Sequence, residues 1–168
     1  MKRICILMLL GFTFAHAQTN LENKERVKVH GVLDNWHKAA ADADFEKYFE
    51  VMTPSFVFLG TDASEYWTRS TFAAYAKPYF DKGKAWKFTR IERHIYFNYD
   101  RTTAWFDELL DTQMKICRGS GVLLRQNGQW KIAQYVLSMT IPNDNSEEVI
   151  KIKTPIEDVQ LDKIKNLK

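Results

Sequence analysis

Cysteine is almost missing from this chain of 168 residues, which has only Cys5 and Cys117, so a fold stapled by several disulfides is excluded. Glycine (7) and proline (4) are too few for a collagen-like or low-complexity chain. Charge of one sign is missing too. The 24 basic and 21 acidic side chains give a net charge of +3, which argues against electrostatic binding of nucleic acid or of a membrane surface. The longest apolar run, Ile4–Ala15, is well short of the roughly 20 residues that a spanning helix requires. The chain has no Gly-rich phosphate loop, no Gly-x-Ser-x-Gly elbow and no His-x-x-x-His pair. What it does have, 45% hydrophobic and 14% aromatic residues, is the composition of one packed domain.

The short apolar run has its own meaning. Lys2-Arg3 precedes it, and Ala15-His16-Ala17 follows as a small-x-small cleavage pattern, so residues 1–17 are expected to be a signal peptide and Gln18 the new N-terminus. The protein is then exported, periplasmic or secreted. Losing Lys2 and Arg3 leaves 22 basic against 21 acidic side chains, a net charge of +1. Cys117 becomes the sole thiol, with no histidine close in sequence to activate it, and is expected to be packed and inert.

Aromatic residues bound the domain. Residues 18–142 hold all the aromatics outside the leader, and the charged C-terminal extension 143–168 holds none. That extension is expected to be solvated or to form a short amphipathic helix over Ile156–Leu167.

Within the domain the hydrophobic period changes once. Val29, Val32, Leu33, Trp36, Ala39 and Ala40 recur at helical spacing. Asp44 is placed to cap a second helix with Phe45, Tyr48, Phe49 and Met52 on its inner face, and Ser70 a third with Tyr75, Ala76, Tyr79 and Phe80. A short strand is expected at Ser55–Leu59. After Gly83 the period becomes two. Trp86–Tyr99, Thr103–Gln113, Lys115–Gln126 and Gln129–Ile141 are rich in aromatic and β-branched residues, and Asn127-Gly128 marks a hairpin. The expected class is α+β, with three N-terminal helices on a strongly curved antiparallel sheet.

Four segments carry a family resemblance. Phe58-Leu59-Gly60-Thr61-Asp62-Ala63-Ser64-Glu65-Tyr66-Trp67, Ala104-Trp105-Phe106-Asp107, Arg118-Gly119-Ser120-Gly121-Val122-Leu123 and Asn127-Gly128-Gln129-Trp130-Lys131-Ile132-Ala133-Gln134-Tyr135 occur in the order seen in SnoaL-like proteins. Leu137-Ser138 and Ile141-Pro142-Asn143-Asp144 extend the last of these. The chain thus resembles that family of the nuclear transport factor 2-like superfamily over about residues 25–144. The resemblance implies a cone with a pocket at one end, commonly in a homodimer. Val136 stands where such relatives often carry a histidine, which removes a general base at that position.

Strict alternation along the strands sorts a candidate site. Gln134, Val136 and Ser138 share a face with Trp130 and Ile132; Trp105 and Asp107 share another; so do Arg118, Ser120 and Val122. If these faces are concave, Asp107 and Arg118 stand in an aromatic cup with Trp36 from the first helix. Otherwise they form a cross-strand pair on the outer surface. Asp62, Glu65 and Trp67 lie at the expected mouth, Asp62 also being suited to close an Asx turn. The second face of the sheet, with Phe106 and Leu110 on one register and Ile95 and Phe97 on another, is expected to pack in a homodimer.

The expected function is binding of a small, partly apolar ligand, with no cofactor, no metal, no nucleic acid and no membrane span. One alternative is an isomerase, cyclase or hydratase that uses Asp107 or Glu65 as base, with Arg118 or Tyr135 as electrostatic partner. Another is a structural dimerisation domain whose pocket is filled. Remaining histidines His30, His37 and His94 join no metal-spaced cluster, and His37 is expected to be an exposed or half-buried helical residue.

Overall fold

The computed structural model describes the backbone of residues 2–166 and the side chains of residues 21–166. The expected leader, residues 1–17, lies outside the described side chains. Helices α1 (Lys2–Ala41), α2 (Phe45–Glu50) and α3 (Arg69–Asp81) come first, with strands β1 (Met52–Leu59) and β2 (Tyr66–Thr68) between α2 and α3. Strands β3 (Thr89–Phe97), β4 (Thr103–Thr112), β5 (Lys115–Gln126) and β6 (Gln129–Met139) follow, then α4 (Ser146–Asn166). The six strands form one sheet in the order β2-β1-β6-β5-β4-β3. Its pairings are antiparallel except that of β1 with β6, which is parallel.

Local chemistry places the helices. On α1, Val29, Leu33, Trp36, Ala39 and Ala40 are buried, as their spacing requires. The helix ends where Asp44 N reaches Ala39 O and Ala43 N reaches Ala40 O, with Ala43 at φ 54°. This is a Schellman closure with alanine where glycine is usual. Asp44 then caps α2, its carboxylate accepting from Lys47 N at 3.1 Å. For α3 the cap is Thr68 rather than Ser70, because Thr71 completes a reciprocal capping box with it. α4 begins ten residues before the expected tail helix and has no buried side chain. Among the described residues no helix is long and apolar enough to cross a membrane.

The sheet departs from strict alternation at two bulges. On β6 the register passes from Leu123 opposite Ile132 to Val122 opposite Gln134, so Ala133 is extra. Trp130 and Ile132 therefore point into the core before it, and Tyr135 and Leu137 after it. Ile91 is the extra residue on β3. Alternation on β4 and β5 is regular, with Ala104, Phe106, Glu108, Leu110, Cys117, Gly119, Gly121 and Leu123 on the inner face.

Several expectations are corrected here. Trp105, Asp107, Arg118, Gln134, Val136 and Ser138 all lie on the outer face; Trp105 is 45% exposed. Their register is opposite to the concave one because β4 turns its more apolar set inward, and because the β6 bulge inverts the parity of everything after Ile132. Asp107 stands opposite Ser120, and Arg118 opposite Leu109, so no Asp107–Arg118 pair forms; Asp107 instead holds His94 Nδ1 at 3.0 Å. Phe106, Leu110 and Ile95 belong to the buried core, with the half-buried Phe97 packed against it, and do not form a second face.

Candidate functional site

Between the helices and the inner face of the sheet lies a cavity of about 160 Å³. Trp36 and His37 enter it from α1, Tyr48 from α2 and Phe58 from β1. Thr61 and Glu65 come from the β1–β2 turn, and Phe72 and Tyr75 from α3. Trp86 and Phe88 reach it from the segment after α3, Gln113 and Met114 from the β4–β5 turn, and Tyr135 and Leu137 from β6. The rings brace one another: Trp36 stacks on Tyr48 at 5.1 Å and meets Tyr135 edge-on at 4.8 Å, and Phe72 stacks on Trp86 at 5.8 Å. An engineered cavity of about 150 Å³ lined by apolar groups holds one benzene, so the space suits a single ring or a molecule of that bulk.

Behind the aromatic walls lies a buried polar network centred on Glu108. Its side chain is fully buried, and Oε1 accepts from His37 Nε2 at 2.9 Å and from the Tyr135 hydroxyl at 3.0 Å. Oε2 accepts from Arg93 Nε at 2.8 Å. Arg93 Nη2 lies 2.7 Å from the same oxygen, close enough for charge but not angled for a hydrogen bond. Arg93 Nη1 donates in turn to Asp34 Oδ1 at 2.8 Å. A carboxylate only accepts, so His37 carries its proton on Nε2 here.

Electrostatics hold this arrangement. Burial alone would raise the Glu108 carboxyl, but the hydrogen bonds from His37 and Arg93 and the Arg93 charge outweigh it and hold the group below the ordinary carboxylate range. Burial, and then the Glu108 charge, push the Tyr135 phenol well up, so it stays a neutral donor. Two inner-face glycines make room. A Cβ at Gly119 would meet the Tyr135 hydroxyl and Glu108 Cγ, and one at Gly121 would meet the Phe106 ring.

Of the residues proposed from sequence, Trp36 and Glu65 line the cavity and Tyr135 sits at its base. Trp67 is half-buried against Tyr75, at 4.9 Å, outside the lining. Asp62 closes an Asx turn, accepting from Ser64 N at 2.8 Å. His37, expected near the surface, is only 7% exposed. Glu108 and Arg93 were not singled out in the sequence. The usable signal for them was a carboxylate at even spacing from Phe106 and Leu110, and a guanidinium at even spacing from Ile95, on strands that pair. Cys117 is buried, as expected. Among the described residues no group of three or more His, Cys, Asp or Glu side chains is placed to hold a metal.

The geometry has clear relatives. An NTF2-like protein of unknown function from Pseudomonas putida superposes with a TM-score of 0.61 at 14% identity, over 73% of this chain and 92% of that one. A candidate dehydratase of the NTF2-like family from Streptomyces avermitilis gives 0.62 at 13% identity, over 72% and 99%. A candidate scytalone dehydratase from Novosphingobium aromaticivorans gives 0.62 at 11%, over 73% and 89%. At these identities the likeness shows the fold alone. No curated protein matches the chain in sequence. The profile of the SnoaL-like domain matches residues 29–142, from Val29 on α1 to just past the last strand, and the chain belongs to the SnoaL-like family.

Proposed function

We propose that the protein binds one small, ring-sized molecule in the cavity between its helices and the curved sheet. The observation that supports this is a cavity of about 160 Å³ with aromatic walls and a polar base held rigid by Glu108. A few fixed polar groups in an apolar hollow are the usual makeup of a small-ligand site, although this one is smaller than the roughly 300–1,000 Å³ that drug-sized ligands occupy. Titration with cyclohexanol, followed by NMR at the indole N–H signals of Trp36 and Trp86, tests it. Saturable shifts are expected, and Met114→Trp, which places a large ring at the cavity, should abolish them. Signals that stay still throughout would leave the domain a structural one.

A specific observation supports a second reading, acid–base chemistry. His37 lines the cavity while a buried carboxylate fixes its Nε2, the arrangement that orients a general base. Two neighbours on the same fold are candidate dehydratases. On this reading a hydroxylated ring compound loses water in the cavity, and His37→Gln abolishes turnover while Asp107→Asn, on the outer face, does not.

Export and assembly belong to the same proposal. The basic, apolar and small-x-small pattern of residues 1–17 supports removal of a leader, and N-terminal sequencing of the natively produced protein should find Gln18 first. The exposed Tyr96–Trp105 stack at 5.9 Å and exposed Ile116 on the outer face support a homodimer through that face. A monomer in light scattering at micromolar concentration would refute it.

A further inference from the structure

We infer that the molecule taken by this cavity is a small organic cation of the ammonium class, not a neutral or anionic one. The inference rests on the pocket reading above and adds the charge of the ligand. Eight of the fourteen lining residues are aromatic, and two of them, Trp36 and Trp86, are of the ring type that attracts cations most strongly. Burying an ammonium in an apolar hollow is costly unless ring faces or carboxylates replace its water. This hollow offers both.

The fixed charges around it point the same way. No lysine or arginine lines the cavity, and its one carboxylate is Glu65, half-buried in the turn after β1. That side chain is fixed in place. Its Oε2 accepts the Asp62 amide at 3.2 Å, and Gly60 leaves the space that a Cβ would take from it. Among the described residues Oε1 accepts no hydrogen bond, so it is available to a bound cation. Behind the base, the Arg93 guanidinium is shared by Glu108 and Asp34, and Arg90 reaches Asp34 from the solvent side. With Glu65 these make three carboxylates to two guanidiniums, and the Nε2 hydrogen of His37, the imidazole in the lining, is taken by Glu108. An anion entering the cavity would meet Glu65 and find no cationic lysine or arginine in the walls.

Three probes of similar bulk decide the question: choline, its carbon analogue 3,3-dimethylbutan-1-ol, and benzoate. Each is titrated into the full chain while the Trp36 and Trp86 indole signals are followed, with cyclohexanol as the control for the pocket. Choline should bind about tenfold or more tighter than its carbon analogue, the difference that a desolvated cation–π contact supplies. Glu65→Gln should weaken choline several-fold and leave the alcohol unchanged. Equal affinity for choline and the alcohol, or a preference for benzoate, would overturn the cation inference while cyclohexanol binding keeps the pocket standing. Failure of all four molecules would overturn the pocket itself. The comparison of probes on the unmodified chain stands even if the Glu65 variant does not fold.

Discussion

Glu108→Gln is the substitution that tests the structure hardest, because the new side chain keeps the shape while it removes the charge and turns one acceptor oxygen into a donor. In the native domain the carboxylate meets four donor atoms within 3.0 Å: His37 Nε2, the Tyr135 hydroxyl, and Nε and Nη2 of Arg93. The Arg93 side chain is itself 0% exposed. Without Glu108 its guanidinium keeps Asp34, which is half in solvent, and a long contact of 3.4 Å to the His30 carbonyl. Breaking one side of a buried pair costs about 3–5 kcal/mol, because the surviving charge is left in low dielectric without its partner. Against a total stability of about 5–15 kcal/mol, that is a large fraction.

Urea denaturation at pH 7 measures it, with Asp107→Asn as the control. The Asp107–His94 pair is solvent-exposed on both sides, so its loss should leave the urea midpoint nearly unchanged. A second arm separates charge from packing. The double variant Glu108→Leu/Arg93→Leu removes both charges, so it should cost less than the two single changes added together, by about 1 kcal/mol or more of coupling. If Glu108→Gln costs under about 1 kcal/mol with an unchanged m-value, Glu108 is not a buried ion in solution. The electrostatic account of the cavity base then fails.

Ala43→Gly should stabilise the domain by about 1 kcal/mol in the same assay, since Ala43 holds φ 54° and glycine adopts it without the Cβ penalty; a loss would mean that α1 closes differently. Gly119→Ala should cost about 1–3 kcal/mol, because its methyl group meets the Tyr135 hydroxyl and the Glu108 side chain; an unchanged Tm would refute that contact. Glu108 titrates below its ordinary range when folded, so its contribution is present above the unfolded value of about 4.3 and is lost as pH falls through the lower folded one. The urea midpoint should therefore drop in that acid window, and drop less in Glu108→Gln; identical acid profiles for the two proteins would remove Glu108 from the linkage.

The helices and strands were legible because each rests on local chemistry. The spacing of Val29, Leu33 and Trp36, the Asp44 cap and the Asn127-Gly128 turn act within a few residues, and all are realised. β2 was missed because three residues, Tyr66–Thr68, are too short to show a period. It forms because β1 offers an edge, pairing Phe58 with Trp67 across the tight turn that Asp62 closes. The parallel β1–β6 contact was invisible for a related reason: it joins segments far apart in sequence that share no turn.

The inner register was the harder matter, and it decided the site. Parity carried along β6 from Trp130 predicts Gln134, Val136 and Ser138 inside, which is right as far as Ile132 and reversed beyond Ala133. One extra residue turns Tyr135 inward and Val136 outward, since a strand's side chains have period two. So the absence of a histidine at Val136, read as the loss of a base, concerns a position on the outer face. On β4 the choice lay between Trp105 with Asp107 and Phe106 with Glu108. The first set would bring in two acids, Asp107 and Asp111, with Trp105 and Leu109; the second brings in one acid with Ala104, Phe106 and Leu110, and apolar area removed from water favours it. The acid that goes in with that set is then buried by its neighbours, whatever its own preference. Its burial requires partners, and Arg93, His37 and Tyr135 supply them from three other elements. A carboxylate placed inside by the packing of its strand, and kept charged by donors from two strands of its own sheet and from α1, is how this fold gives an aromatic cavity a polar base.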